Sequence, residues 1–369
     1  MCGYMICLTG FSYGLGGDKF VYMSEFESYP ENLSEASDFI WMQFMLKGQM
    51  PLWTMLNITA KMLFGSFYAV QIVQSAMVNI AICYIATKYT KRLFLFLLIY
   101  FFTLDYFLFN TEIMREGIAI AFILFGMYGW MNGRKWLFFI MFPLALLFHI
   151  SAVIALLFPF VRIKISWKTL GITFGVAFVI WILSDLILNR IMIAVLGGMG
   201  ALVQKVLFYS IQASTIFGFL RSSLTYLIFP FIIMHTAIKF EPSEEIKRQK
   251  EKMAAFMLVL ALLACSLAGF NRFYNYTKVF YLIMFADFIY IIATQREHII
   301  MRIGTFAGTV FLIFLSYIAQ YKITGQRFYE FYYPYTCILN EDKSVYIREI
   351  THFESTQAEE NDKNVRDIK

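Results

Sequence analysis

Long apolar runs alternate with short polar loops along most of the chain. A helix that crosses the hydrocarbon core of a bilayer needs about 20 apolar residues. Apolar runs of this kind, some of them shorter, occupy residues 1–14, 67–87, 93–110, 113–131, 168–188, 222–239, 253–269, 279–294 and 303–321. The pattern predicts an all-α fold, a polytopic transmembrane helical bundle of about 9–11 spans.

Lysine and arginine concentrate in a subset of the loops between these runs. Basic clusters lie within residues 88–92, 134–135, 162–168, 239–252 and 296–302. Because short cytoplasmic loops carry an excess of Lys and Arg, we predict that all of these clusters face the cytoplasm. The outer surface then holds the loops 15–66, 189–221 and 270–278. We predict a single membrane domain over residues 1–353 and a polar tail over 354–369 with the composition of a disordered segment.

Three apolar segments depart from a simple crossing. Basic residues flank both ends of 136–161, so this segment is predicted to be a hairpin that breaks near His149. Residues 51–65 are short and begin with Pro51, which favours a re-entrant or interfacial helix on the outer side. With the outer loops, these segments predict an outward-facing cavity. The first run, 1–14, lacks the basic start of a signal peptide and is interpreted as a short first span that lacks an N-terminal stretch.

Composition sets the class of protein. Hydrophobic residues make up 60% of the 369 residues and charged residues 15%, with a mean hydropathy of +0.64, which excludes an ordinary soluble globular domain. The net charge of +6 records membrane orientation, so no nucleic-acid partner is expected. The cysteines have no paired spacing and predict neither a disulfide framework nor a zinc site. They are Cys2, Cys7, Cys83, Cys265 and Cys337.

Charged residues within the apolar runs are the main chemical signal. A charge at the bilayer centre costs about 2.5–3.5 kcal/mol, so each such residue needs a partner or a wet cavity. The residues concerned are Asp105, Arg115, Glu116, Asp185 and Asp287. Arg115 could pair with Asp105 across the turn between two spans. Alternatively, Glu112, three residues before Arg115, could neutralise it in a structural cluster, and Glu116 could make only a polar contact between helices.

Arginines on the predicted outer side are not explained by the topology. They include Arg115, Arg221 and Arg272. A guanidinium group matches phosphate oxygens with two parallel hydrogen bonds and stays charged at any working pH. Several of these arginines could therefore line one anionic site. For Arg272, which follows an apolar span, the alternative is a side chain that snorkels to the lipid headgroups.

Two residues are candidates for proton transfer. Asp18 follows a run of glycines, where the simplest interpretation is a turn residue. His149 lies where the hairpin is predicted to break, and a lone histidine in an apolar stretch is usually structural. Its predicted position beside the outer cavity makes it a candidate for proton transfer or hydrogen bonding.

Several motifs, taken in order, resemble those of the EpsG family of Wzy-like polymerases. They are GLGGDKFVYMSEF with Asp18 and Tyr22, MREGIAIAF with Arg115, the basic turn GRKW, ALLFHISAV with His149 and Ser151, and NRFYNY with Arg272 and Tyr276. The resemblance extends from about residue 10 to about residue 340 and includes the closing segment YYPYTCILN. The sequence departs from the pattern at Glu116, where a neutral residue is expected, and in its short first span.

The resemblance implies polymerisation of lipid-linked oligosaccharide repeat units in bacterial exopolysaccharide or capsule synthesis, at the outer face of the cytoplasmic (inner) membrane. It implies Arg115 and Arg272 as diphosphate ligands, with Arg221 as a weaker third, and Asp18 or His149 as the general base. Tyr22 and Tyr276 are the implied substrate contacts. Tyrosines at positions 274, 276, 332 and 333 could stack on sugar rings or anchor the protein at the interface.

The implied ligands and partners are a polyprenyl-diphosphate-linked oligosaccharide, the lipid bilayer, and a chain-length regulator or other polysaccharide assembly proteins. No cofactor is expected, and no metal, because the outward loops hold no acidic cluster such as DxD. Two alternatives remain. One is a transporter or flippase of the same lipid-linked sugar, although such proteins usually contain repeated halves; the other is a non-catalytic membrane subunit of a polysaccharide assembly complex.

Overall fold

Helices joined by short loops make up this computed structural model. It describes residues 1–184, 215–267 and 269–294, together with 304, 306–308, 332 and 335–339. Outside the described residues lie most of the predicted span 303–321, most of the loop 189–221, Asp185 and the tail 354–369. The helices are α1 (Cys2–Gly10), α2 (Asp18–Glu27), α3 (Leu33–Lys47), α4 (Pro51–Phe64), α5 (Phe67–Tyr89), α6 (Leu93–Phe102), α7 (Asp105–Glu112), α8 (Met114–Met131), α9 (Lys135–Phe148), α10 (Trp167–Ile182), α11 (Ile216–Lys239), α12 (Glu244–Ser266) and α13 (Asn275–Thr294).

The predicted class of fold, a helical membrane bundle, is confirmed. Three helical segments in the described part of the chain are long and apolar enough to cross a bilayer: α5, α11 and the segment Phe270–Thr294 that contains α13. The bent pair α6–α7 would make a fourth span. Shorter apolar helices, α9 and α10, accompany them. The prediction of about 9–11 spans therefore remains a prediction.

The predicted span 93–110 contains a break, because the helix ends with α6 and the chain turns by 82° into α7. Leu104 takes a left-handed conformation, with φ of 63°, at the break. Directly after it, the Asp105 carboxylate pairs with Lys278 of α13. The side chain of Asp105 is only 2% exposed, so an unbroken helix that carried it away from this cation would bury an unpaired charge.

The predicted hairpin at 136–161 is confirmed. α9 ends at Phe148, His149 follows it, and a 3₁₀-helix over Ile150–Leu157 returns the chain. Both ends of the segment meet the same helix, α12. Gln249 donates to Asn132 at 3.4 Å before the hairpin, and Lys252 donates to the Pro159 carbonyl at 3.2 Å after it.

The loops predicted to share the cytoplasmic side come together at one end of the bundle. Lys250, which is 1% exposed, pairs with Asp287 at 2.7 Å and also with Glu241. Thr90, from the basic loop after α5, donates to the other Asp287 oxygen at 2.6 Å. The charge of Asp287 is thereby neutralised, and we interpret this cluster as structural.

The segments predicted to face outward also contact each other. Residues 11–13 pair with residues 336–338 through a short antiparallel bridge, in which Tyr13 donates to Thr336 at 2.9 Å and Ile338 donates to Phe11 at 2.9 Å. Gln71 of α5 donates to the carbonyl groups that end α1, at 2.6–2.9 Å. The N-terminal segment is therefore held against α5 and against the closing segment.

The turn between α7 and α8 is fixed by amide side chains of α5. Gln74 donates to the Phe109 carbonyl at 2.8 Å, and Asn79 donates to Asn110 at 2.8 Å. Gly117 of α8 lies so close that a Cβ atom there would stand 2.5 Å from the Phe109 carbonyl oxygen. This close packing positions the residues that flank the turn, which include the candidate site.

Candidate active site

Glu112, at the end of α7, anchors the N-terminus of α2. Its carboxylate accepts the backbone N–H groups of Gly17 and Asp18, each at 3.0 Å, and the Tyr332 hydroxyl. The Tyr22 hydroxyl donates to the Glu112 carbonyl at 3.3 Å. The first N–H groups of a helix are unsatisfied within the helix, so a carboxylate is a stabilising partner for them. Glu112 thereby fixes the position of the Asp18 backbone, from which the Asp18 side chain extends.

The glycines before Asp18 allow this docking. Gly16 has φ of +96°, a conformation that favours glycine, and a Cβ atom there would stand 2.7 Å from the Thr111 Cβ atom. Any larger residue would push the loop away from Glu112. The run GLGGD is therefore more than the simple turn that the sequence suggested.

Asp18 lies within electrostatic reach of both predicted diphosphate ligands. Its carboxyl group interacts with Glu112, Arg272 and Arg115. The side chain is exposed at the surface, yet the pKa of Asp18 is raised to about 6. Loss of water around the carboxyl group is the main cause, the neighbouring Glu112 carboxylate also raises the pKa, and the Arg272 and Arg115 guanidinium groups lower it. At neutral pH most of this group is an available base.

Arg115, in the first turn of α8, has no carboxylate partner within ion-pair distance among the described residues. The predicted pairing with Asp105 is wrong, because Asp105 pairs with Lys278 instead. The alternative, neutralisation by Glu112, is also wrong, since Glu112 is occupied by the N–H groups of α2. The guanidinium group lies over the Tyr22 ring at 5.3 Å, and its Nε atom is buried without a hydrogen-bond partner.

Arg272 lies on the 3₁₀-helix Phe270–Tyr274. Its side chain is exposed and lies within electrostatic reach of Asp18 and of Glu116. Glu116 accepts a hydrogen bond from Asn275 of α13 at 3.1 Å. This contact confirms the interpretation of Glu116 as a polar link between helices, and it draws α13 toward the start of α8.

His149 belongs to a short hydrogen-bonded chain beside this cluster. Its Nδ1 atom lies 2.5 Å from the Ser151 Oγ atom, which lies 2.9 Å from the Tyr276 hydroxyl. Tyr276 is fully buried and interacts electrostatically with Glu116. The predicted stacking of sugars on Tyr274 and Tyr276 does not fit, because both rings are buried within the protein.

Arg221 and Tyr22 complete the predicted set. Arg221 is exposed on α11, and none of the ion pairs among the described residues includes it. No interaction in the described part of the chain links it to Asp18, whose charged neighbours are Glu112, Arg272 and Arg115. Tyr22 lies within the cluster, and burial raises its pKa to about 12, so its hydroxyl group keeps its proton and acts as a donor.

Two residues that serve the site were not singled out for it by the sequence. Glu112 was considered only as a partner of Arg115, and its contact with residues 94 and 95 positions away has no local signal. Ser151 was noticed only as part of a motif, although its spacing of two residues from His149 is compatible with a direct contact. Within the described residues, no three His, Cys, Asp or Glu side chains gather as a metal site, and all five cysteines are free.

The site and the basic loops lie at opposite ends of the bundle. Arg115 begins α8, and Asn132, just past the other end of this helix, contacts α12 beside the Lys250 cluster. A helix of this length spans about 26 Å at 1.5 Å per residue. The fold and the site thus define a multi-pass helical membrane protein with two arginines and a carboxyl group gathered at the end away from its basic loops.

The chain belongs to the EpsG family, which it matches over residues 1–337. The predicted resemblance is thereby confirmed, and the membership supports a polymerase-like membrane protein of polysaccharide biosynthesis. No curated protein and no solved structure matches the chain significantly.

Proposed function

We propose that this protein polymerises polyprenyl-diphosphate-linked oligosaccharide repeat units at the outer face of the bacterial cytoplasmic membrane, in exopolysaccharide or capsule synthesis. The observation that carries the proposal is the position of Asp18, which interacts with the guanidinium groups of both Arg115 and Arg272. A base and two cations at one place match a reaction in which an alcohol is deprotonated while a diphosphate departs.

In the proposed reaction, the hydroxyl oxygen of an acceptor sugar attacks the anomeric carbon of the donor glycan. Its proton passes to a base, for which Asp18 and His149 are the candidates. The bond between the anomeric carbon and the diphosphate oxygen breaks, and its electron pair leaves with the diphosphate. The glycan is thereby transferred from one polyprenyl diphosphate carrier to the glycan on a second.

Arg115 and Arg272 are the proposed ligands of the departing diphosphate. Arg115 is the better supported of the two, because among the described residues its Nε atom is buried without a hydrogen-bond partner and no carboxylate lies within ion-pair distance of it. Preorganised cations placed where negative charge develops lower the barrier without a requirement for a metal ion. Tyr22 is a proposed substrate contact, since its ring holds the Arg115 guanidinium.

Arg221 remains a weaker candidate ligand of the diphosphate. Tyr276 likewise remains a weaker candidate for a direct contact with the substrate. Arg221 is exposed and Tyr276 is buried, whereas Arg115 is partly buried and lies within electrostatic reach of Asp18. The single membrane domain over residues 1–353 and the association with a chain-length regulator or other assembly proteins also belong to the proposal.

The test uses the purified full-length protein in lipid vesicles, given a polyprenyl-diphosphate repeat unit. A polymerase converts it to a ladder of chain lengths, and Asp18→Asn and Arg115→Ala variants that insert normally lose the ladder. A protein that only moves the substrate across the bilayer would be a flippase. A protein that does neither would be a non-catalytic subunit, and either of these results would refute the proposal.

A further inference from the structure

We propose that Ser151 is a positioning residue that holds neutral His149 as the tautomer with its proton on Nε2. In this tautomer, His149 donates a hydrogen bond to the substrate, and Asp18 takes the proton of the acceptor hydroxyl. The inference rests on the proposed function and decides which of its two candidate bases acts.

The backbone at the hairpin break favours the His149 Nδ1 atom as a hydrogen-bond acceptor. His149 is the N-cap of the 3₁₀-helix Ile150–Leu157, and the Ser151 backbone N–H donates to the Nδ1 atom at 3.4 Å. A backbone N–H is always a donor, whereas a hydroxyl group can donate or accept. This backbone contact favours a lone pair on the Nδ1 atom, and in neutral imidazole the proton then resides on Nε2.

The hydroxyl groups around Ser151 reinforce the same arrangement. The Ser151 Oγ atom lies 2.5 Å from the same Nδ1 atom, so its hydroxyl group donates to that lone pair. Ser151 Oγ then accepts from the Tyr276 hydroxyl at 2.9 Å. The result is a chain of donors that runs from Tyr276 through Ser151 to His149, and each link favours a proton-free Nδ1 atom.

This chain is tied to the charged cluster. Tyr276 follows Asn275, which donates to Glu116, and Glu116 adjoins Arg115 on α8. A change at Ser151 therefore acts on His149 without removing either guanidinium group. A neutral imidazole that carries its proton on Nε2 and accepts hydrogen bonds at Nδ1 has no lone pair left with which to deprotonate an acceptor hydroxyl. Asp18 is then the base.

The test is solid-state NMR of the full-length protein in lipid bilayers, labelled with ¹⁵N and ¹³C histidine. A His149→Gln variant identifies the signals of His149 by difference. Correlation of each ring nitrogen with its bonded ring carbon distinguishes Nδ1 from Nε2, and the ¹⁵N shift reports which atom is protonated. We expect a proton-free Nδ1 and a protonated Nε2 at pH 7.5.

Two matched variants test the role of Ser151. Ser151→Ala removes the hydroxyl donor and leaves only the longer backbone contact to the Nδ1 atom. This variant is expected to show a second tautomer and a polymerisation rate lower by about 10- to 100-fold, the loss typical when the hydrogen-bond partner that orients a ligating histidine is removed. Ser151→Thr keeps the hydroxyl group and is expected to keep both the single tautomer and most of the rate. A purely structural role of Ser151 would change the yield of inserted protein but leave the tautomer unaltered.

A protonated Nδ1 in the unmodified protein overturns the inference, as does a Ser151→Ala variant with unchanged tautomer and rate. The NMR measurement needs no substrate, so it separates the two proposals. An unmodified protein that makes no polymer refutes the proposed function whatever its tautomer, whereas one that makes polymer with a protonated Nδ1 refutes only the inference.

Discussion

Arg115→Ala is expected to remove activity while leaving the fold nearly intact. The guanidinium group has no carboxylate within ion-pair distance among the described residues, so its loss leaves no buried anion unpaired. Its main packing contact is the Tyr22 ring, at 5.3 Å, and such a cation–π contact contributes about 0.5–1 kcal/mol at a partly exposed site. The cost in stability should therefore be small.

The cost in catalysis should be much larger. Removing one preorganised donor from the place where an oxyanion develops typically costs about 2.7–4 kcal/mol, which is a factor of about 10²–10³ in rate. A buried Nε atom that has no hydrogen-bond partner among the described residues fits this role. We expect the rate of the Arg115→Ala variant to fall within this range.

Arg134→Ala is the matched control for this experiment. Arg134 is exposed just past the opposite end of α8, in the loop predicted to be cytoplasmic, and its loss removes the same charge away from the candidate site. Initial rates of repeat-unit polymerisation and thermal unfolding in detergent are measured for both variants. A normal rate for Arg115→Ala, or an equal loss for Arg134→Ala, would refute the reasoning; so would a large loss of thermal stability that accounts for the missing activity.

Individual contacts give four further predictions. The polymerisation rate should fall as pH decreases through about 6, because burial and the Glu112 carboxylate raise the pKa of Asp18 to that value. In a Glu112→Gln variant that still inserts, this fall in the pH–rate profile should occur at lower pH, because the neighbouring negative charge is gone. Since a raised carboxyl pKa makes the folded state less stable as pH rises from about 4 to about 6, Asp18→Asn should unfold at no lower a temperature than the unmodified protein at pH 7.5, and a clear drop would contradict this. Lys278→Ala should destabilise the protein by about 3–5 kcal/mol in thermal unfolding, because it leaves the buried Asp105 carboxylate unpaired, and unchanged stability would show that the ion pair is not structural. Gly117→Ala should lower the yield of folded protein and its stability by about 1–3 kcal/mol, since the new Cβ atom would stand 2.5 Å from a backbone oxygen that cannot move away, and a normal yield would refute this packing.

The sequence was sufficient for the class of fold and for several helix boundaries. The predicted span 67–87 is the helix Phe67–Tyr89, because a continuous apolar run follows the capping residue Ser66. The hairpin at 136–161 was predictable because basic residues at both of its ends could not lie on opposite sides of the membrane. These features depend on composition and on local pattern.

The break within 93–110 could not be predicted in this way. Neither glycine nor proline marks it, and a leucine occupies the left-handed position. The residue that follows the break, Asp105, pairs with Lys278, which is far from it in the sequence. Local pattern carries no information on such a contact.

The candidate site was predictable in its members but not in its arrangement. Sorting cations by side indicated Arg115 and Arg272, and the family resemblance indicated Asp18 and His149. The sequence suggested Asp105 or Glu112 as the partner of Arg115, whereas both carboxylates have other partners in the structure. A charge in an apolar run indicates that a partner is needed, but only the three-dimensional fold decides which one it is.

The central claim is that the guanidinium groups of Arg115 and Arg272 bind one diphosphate together. The most direct test is a double-mutant cycle on the binding of a polyprenyl diphosphate by Arg115→Ala, Arg272→Ala and the double variant, with the unmodified protein as reference. We expect each single variant to bind at least about tenfold more weakly, and the double variant to deviate from the product of the two losses by about fivefold or more, which is about 1 kcal/mol of coupling. Losses that simply multiply, or either single variant that binds as the unmodified protein does, would contradict the claim.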